Sequence, residues 1–510
     1  MPSKLLSSRP FRSAALWSVV SLALFVVTWL AVVIWWQITQ RVVTPDDAIL
    51  YLLVLPCALI ICASIARHMA RRKEGPVIAD NQNAAPSSQS ADLDQDTRCS
   101  TLSVLSVWAA TSFANNAEEF VEALAEKRVR PQPDPFLTDQ NGFPVLSGRT
   151  SSLDIVSVEN WLQEALQDGR LPHLVVPGSP RHSTVRALSL LSAVMDQLLS
   201  DWPWSDSKDT DSRREQEVTV PMLRGSSGLP SFATPSLHLR IVLLVSEDLA
   251  SEEQDVARTY VAERLSDLDS NGQSPHLELV PSRDGAAALA IANQFNIDSG
   301  RDTIPRALLL LACDSALCPS VVDDWSLKGQ LFDSRCPNGL MMGEASFGAL
   351  FANESAVSAA LTVPTCWVTH AGIANREASA DAPGNTSHEC LSRTVATALA
   401  SGRVNGHAIG TVACDSDHRT NRTLECIGTM MAQTPHLDAI QNRLATNEVC
   451  GHLGAASVLG SFVAGVIQSH HASHPVLFFN VSHPTERAAA VLLPVATPSP
   501  DMHPTVLQAA

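Results

Sequence analysis

Cys450-Gly451-His452-Leu453-Gly454-Ala455-Ala456-Ser457 is the stretch on which the reading of this 510-residue chain turns. It reads as a short loop, then a histidine, then small residues that open an apolar helix from Ser457 to Gln468. Small residues at such a junction let a helix N-terminus pack closely against neighbouring backbone. The helix dipole and its free amides could there bear on an oxyanion, with His452 beside them.

Outward from this segment the chain alternates between strand and helix patterns. Ala408 to Cys414 reads as a strand and Thr423 to Gln433 as a helix, while Val476 to Asn480 and Ala488 to Leu493 read as closing strands. Ser358 to Val368 reads as a strand and Cys390 to Ala400 as a helix. The earlier part repeats the pattern. Thr101 to Ala109, Leu237 to Ser246 and Arg306 to Cys313 read as covered strands, the last a continuous apolar run. Ala117 to Lys127, Val185 to Leu199, Glu252 to Leu265 and Gly285 to Phe295 read as helices. Two successive α/β halves with covered sheets imply a layered α/β architecture.

The start of the chain has a different chemistry. Ala14 to Trp36 and Ala48 to Ala66 carry no charge, and the first is long enough to span a bilayer. Separated only by Gln37 to Asp47, they are expected to form a membrane hairpin within residues 1–73, with spans at about 14–36 and 48–66. Trp35 and Trp36 suit an interface. Lys4, Arg9 and Arg12 before the first span, with Arg67, Arg71, Arg72 and Lys73 after the second, place both termini and the large domain in the cytoplasm. Residues 74–98, rich in Ala, Ser, Gln, Asn and Asp, read as a flexible linker, and 499–510 as a tail. Eleven cysteines without framework spacing agree with a reducing compartment. A net charge of -17 argues against a nucleic-acid partner, because phosphate binding needs clustered Lys and Arg.

From about Cys99 to Pro494 the chain resembles the ketosynthase branch of the thiolase-like superfamily. Four segments carry the resemblance in order. They are the Arg/Pro-rich stretch from Arg128 to Arg149, the strand Leu308 to Ser315, the segment Asn338 to Leu350, and Gly451 to Ser457. The resemblance implies a thiolase-like layered fold of two α/β halves over residues 99–498, a homodimer, and acyl-thioester chemistry by one nucleophilic cysteine and two histidines.

His452 matches the family's second histidine. The nucleophile's position, before the helix that starts at Gly285, falls near Ser282. A serine lacks thiolate character and would need a base, and Ser282 or Asp284 also reads as a helix N-cap. Counting back from Glu425, which matches a family helix acid, puts Cys414 at the first histidine's position, with His418 four residues on. The family's glycine turn near the C-terminus is replaced by Val481-Ser482-His483-Pro484-Thr485-Glu486-Arg487. Candidate catalytic residues are therefore His452, Ser282, Cys414 and His418. Cys414 to His418 has metal-capable side chains, but no second cluster has zinc spacing, so neither metal nor cofactor is expected.

Two functions compete, with a lipid or acyl-thioester sensor that keeps the pocket but does no chemistry as a minor third. One is a membrane-anchored pseudoenzyme of the bacterial inner membrane, held by two helices in the lipid bilayer. It would scaffold or bind a partner of an envelope complex, such as type VI secretion. The other is an acyltransferase for acyl-CoA or acyl-carrier-protein thioesters with altered active-site residues.

Overall fold

The computed structural model describes residues 101–495, apart from 128, 172–181, 205–236, 269–275, 284, 301, 383 and 385–386. The expected spans 14–36 and 48–66, the linker and the tail lie outside the described residues. Among those described, no helix is long and apolar enough to cross a membrane.

The first half runs β1 (Leu102–Thr111), α1 (Ala117–Glu126), the hairpin β2 (Gln132–Thr138) and β3 (Pro144–Gly148), then α2 (Ile155–Gln167) and α3 (His182–Ser200). It continues through β4 (His238–Ser246), α4 (Ser251–Arg264), β5 (His276–Ser282), α5 (Ala287–Ser299), β6 (Arg306–Ser315), α6 (Pro319–Leu327) and β7 (Met342–Ala352). The second half begins with α7 (Glu354–Ala360), β8 (Cys366–Val368), β9 (Gly372–Asn375), α8 (Glu389–Gly402), β10 (Thr411–Cys414) and α9 (Thr420–Gln433). It ends with β11 (Arg443–Ala445), α10 (Thr446–Cys450), α11 (Ser457–Ala472), β12 (Val476–Phe479) and β13 (Glu486–Pro494).

The strands join in one 13-stranded sheet whose main path is β11-β10-β12-β13-β8-β1-β7-β6-β4-β5. The order is a palindrome about the β8–β1 seam. On one side β5, β4 and β6 are parallel neighbours, and β6, β7 and β1 then pair antiparallel. On the other, β11, β10 and β12 are parallel, and β12, β13 and β8 pair antiparallel. At the seam itself β1 and β8 are antiparallel, with Leu102 opposite Val368. Equal order, equal directions and an antiparallel seam are what a two-fold relation between halves produces, so the expected pair of α/β halves is present.

Alternation along the strands builds the layers. Val242, Leu244, Leu308, Leu310 and Ala312 face a central core that also receives Ala413, Val476, Phe478 and Ala490 from the second half. Helices α1, α5 and α11 fill this core with Phe120, Leu289, Phe295, Leu459 and Phe462. The intervening Ile241, Leu243, Leu309 and Leu311 face outward, under α2, α3 and α4. In the second half Val412, Leu477, Phe479 and Val491 do the same under α8 and α9. From Ser457 to Ile467 every residue of α11 is buried, as a helix between two sheets requires. Each fully buried Leu or Phe in these clusters contributes about 1.5–3 kcal/mol.

One expected strand is corrected. Ser358 to Ala360 complete α7, whose N-terminus is capped by the Asn353 side chain on the Ala356 N–H, and only Cys366–Val368 pairs as strand. Pro364 separates the two, since proline disfavours the helical conformation in the residue before it. Further elements were not anticipated: the hairpin β2–β3, α2, the edge strand β5, α6, the central strand β7, β9, β11 and α10. Trp202 and Trp204 fold over the first half's outer core, their rings 5.1 Å apart.

Candidate functional site

Both central helices start at the same end of the sheet, and each N-terminus is held by a carboxylate from the opposite half. Gly451 has φ +80°, and a Cβ there would collide with the Met342 carbonyl. That lets the chain bend so that the His452 N–H donates to the Met341 carbonyl at 2.8 Å. At Gly454 a Cβ would strike the Asp314 carboxylate, whose Oδ2 accepts the Ala455 N–H at 2.9 Å. The Ala455 amide, in the short 3-10 turn that leads into α11, is thus already occupied. The small residues of this segment do allow the close approach expected of them.

At α5 the cap residue is Ala286, and its N–H donates to Glu486 Oε2 at 2.8 Å. The expected cap by Ser282 is corrected: its hydroxyl donates to the Arg283 carbonyl at 2.8 Å. Asp284 lies outside the described residues. The reason is geometric, because a helix that begins at Ala287 leaves Ser282 too far upstream to reach its first amides. Asp314 ends β6 in the first half and serves α11; Glu486 begins β13 in the second and serves α5. The exchange is reciprocal.

A cavity of about 580 Å³ opens at the ends of β4, β5 and β6. Ser282 and His452 both line it, so the structure brings these two candidates to one space. The His452 ring meets Trp325 of α6 edge-on at 5.6 Å. Behind the cavity, the fully buried Glu344 carboxylate is held by Arg186 (2.8 Å to Nε), the Ser315 hydroxyl (2.9 Å) and the Thr150 N–H (2.7 Å). Cys313 and Cys318 are buried; burial pushes Cys313 well above the usual thiol range.

Cys414 and His418 do not line this cavity. Cys414 ends β10 with its side chain in the outer core, 3.8 Å from Cys426 Sγ and 3.4 Å from Ser416 Oγ. Burial opposes its ionisation, but the Cys426 thiol, the Arg443 guanidinium and Ser416 outweigh burial and bring its pKa down to about 7. The same pairing drives Cys426 well above its ordinary value. His418 stacks edge-on against Phe332 at 5.0 Å. Burial lowers its pKa despite the neighbouring Asp417 carboxylate. Asp417 closes the turn by accepting the Arg419 N–H at 3.0 Å.

Where the second half's strands end, polar groups are satisfied by one another. Asp415 Oδ1 accepts the N–H groups of Val481 (2.5 Å) and Ser482 (3.1 Å). Asn447 donates to Ser457 (2.8 Å) and Ser482 (2.9 Å). Glu425 receives a two-point contact from Arg487, both at 2.8 Å, and Arg376 at 2.6 Å. Val481 to Arg487 therefore acts here as a bonded buttress.

Asp314, Glu486 and Asp415 are the residues that sequence reading missed as site-forming. Asp314 and Asp415 each directly follow a segment that reads as a strand, Arg306–Cys313 and Ala408–Cys414, and a carboxylate at that place has few partners except helix amides or loop N–H groups. That signal was available. Glu486 was not accessible this way, because its partner lies in the other half.

No protein-family model matches the chain, and no curated protein matches it. Among solved structures it is similar to the ishigamide ketosynthase/chain length factor, at 14% identity and a TM-score of 0.50, over 78% of this chain and 100% of that one. It is also similar to the oxazolomycin ketosynthase domain of Streptomyces albus, at 12% identity and a TM-score of 0.50, over 78% of this chain and 75% of that one. The ketosynthase from module 1 of the bacillaene synthase of Bacillus amyloliquefaciens matches at 12% identity and a TM-score of 0.50, over 80% and 76%. The chain has the thiolase-like ketosynthase fold.

Proposed function

We propose that this is a membrane-anchored, ketosynthase-like pseudoenzyme that serves as a scaffold or binding partner in a bacterial envelope process, with its folded domain in the cytoplasm. One observation carries the reading. One amide at the entry to each central helix, Ala286 at the cap of α5 and Ala455 in the short 3-10 turn that leads into α11, is taken by Glu486 and Asp314 respectively. A developing oxyanion or thiolate gains from a helix N-terminus only if those amides are free to meet it. Here a fixed carboxylate holds each, and it repels a second negative charge.

The surroundings support the same reading. Cys414 faces the outer core, and the second half's strand ends are filled by their own hydrogen bonds. The uncharged runs at 14–36 and 48–66 supply the anchor, and an envelope complex, with type VI secretion as one example, supplies the partner. Among the described residues no strand pairs with the outer edge of β5, where Leu277, Leu279 and Val280 are half-buried. An exposed strand edge is a template for pairing, and β5 is the edge we assign to a homodimer.

A second reading rests on Ser282 and His452 sharing one cavity: an acyltransferase in which Ser282 takes the acyl group from a CoA or carrier-protein thioester. Intact mass spectrometry of the full chain with a panel of acyl thioesters separates the two. The scaffold reading expects no adduct. A stoichiometric adduct that maps to Ser282 and vanishes in Ser282→Ala would overturn it in favour of the acyltransferase.

A further inference from the structure

We propose that the cavity at the ends of β4, β5 and β6 binds a linear aliphatic polyamine. Four carboxylates line it: Glu247 and Asp248 just beyond β4, Asp314 at the end of β6, and Asp324 on α6. Against them stand two permanent cations, Arg283 and Lys328. Both cations are engaged within the same wall, Arg283 with Glu247 at 3.2 Å and Lys328 with Asp324 at 2.7 Å. The lining is therefore net negative at neutral pH. A concave site of one charge sign focuses its field and concentrates ligands of the opposite sign.

The remaining lining narrows the cation to an organic one. Leu188, Val245, Leu249, Val321 and Leu340 supply apolar wall, which suits methylene spacers. Trp325 supplies an indole for an ammonium group to sit against. Hydroxyls of Ser246, Ser282, Ser315 and Ser320 add acceptors for N–H donors. Among the described residues no group of three or more His, Cys, Asp or Glu side chains could hold a metal ion, so the carboxylates are spread rather than convergent. With Glu247 and Asp324 matched by Arg283 and Lys328, the excess negative charge falls to Asp248 beyond β4 and Asp314 on β6, two separate elements, which fits ammonium groups spaced along one chain better than a single point charge. At about 580 Å³ the space is of ordinary ligand-site size. The same charge balance disfavours the phosphates of coenzyme A, so the site goes beyond the scaffold reading and does not depend on it.

The test is titration calorimetry of the full chain, purified in detergent at physiological salt, with spermidine as probe. One spermidine is expected per chain, with acetyl-coenzyme A giving no heat of binding. Asp248→Asn and Asp324→Asn, both at exposed positions, are each expected to weaken binding about tenfold, the size of one lost charge contact. Asp298→Asn, on the exposed face of α5 away from the cavity lining, is expected to leave it unchanged. Absence of spermidine binding overturns the proposal. So does a stoichiometry above one with equal losses in all three variants, which marks non-specific attraction to an acidic protein. Near-ultraviolet circular dichroism verifies that each variant is folded.

Discussion

The two halves share strand order and strand direction, yet their strand ends differ. The ends of β4, β5 and β6 surround a cavity, whereas the ends of β10, β11 and β12 meet a solid network of Asp415, Asn447, Ser457 and Ser482. The difference lies in side chains, since the backbone pairings are the same. In the second half the Val481 and Ser482 amides find an acceptor in Asp415, and Asn447 bonds both Ser457 and Ser482. In the first half the serines at 246, 282 and 315 are too short to fill the space between strands and α6. A duplicated frame thus supports one end closed by its own hydrogen bonds and one end that opens into a cavity.

The largest effect should come from the closed half. Glu425→Ala leaves Arg487 and Arg376 buried without their counter-charge; a loss of about 3–5 kcal/mol in denaturant unfolding is expected. A loss under 1 kcal/mol would mean that water reaches those guanidinium groups and that the closed end is not closed.

Next comes a matched pair of substitutions across the two ends. Asp415→Ala orphans the Val481 and Ser482 amides and should cost about 1–3 kcal/mol. Ser282→Ala, which removes a hydroxyl bonded only to the adjacent carbonyl in a cavity wall, should stay within about 0.5 kcal/mol of the parent. Equal costs would erase the distinction between filled and hollow ends.

The smallest effect is a pH dependence. His418 is held neutral by burial, so its pKa lies below the ordinary 6.5. The unfolded chain then binds the proton more readily. Stability from this group is present above about pH 6.5 and is lost as pH falls toward and through the lowered value. His418→Asn should flatten the acid limb of a stability-against-pH curve below pH 6.5, with no change at pH 8. An unchanged acid limb would show that His418 opens to solvent.

Much of the architecture could be read from the chain because the period of its apolar residues reports burial directly. The run Leu308 to Ala312 announces a strand covered on both faces, and the all-round apolar helix from Ser457 announces a helix between sheets. Where period is short, reading failed. His276 to Ser282 alternates over only a few residues and contains Pro281, so the edge strand was passed over. The site was half legible. His452 and Ser282 line one cavity, but the carboxylates that reach the helix entries from the opposite half depend on long-range packing that no local window contains.

The seam between β1 and its neighbours also has a consequence for biosynthesis. β1 is the first strand of the folded unit to leave the ribosome, yet Ala110 pairs with Ser346 on β7 and Leu102 with Val368 on β8. At translation rates of about 5–20 residues per second, β1 waits on the order of ten seconds or more for either partner. Its two edges stay unpaired throughout that interval, while α1 and α3, made earlier, supply the residues that cover its faces, Leu102 and Val104 on one side and Leu105 and Trp108 on the other. The nascent chain therefore has a defined interval in which β1 lacks a strand partner; one edge is paired when β7 completes the first half, and the other only when β8 opens the second.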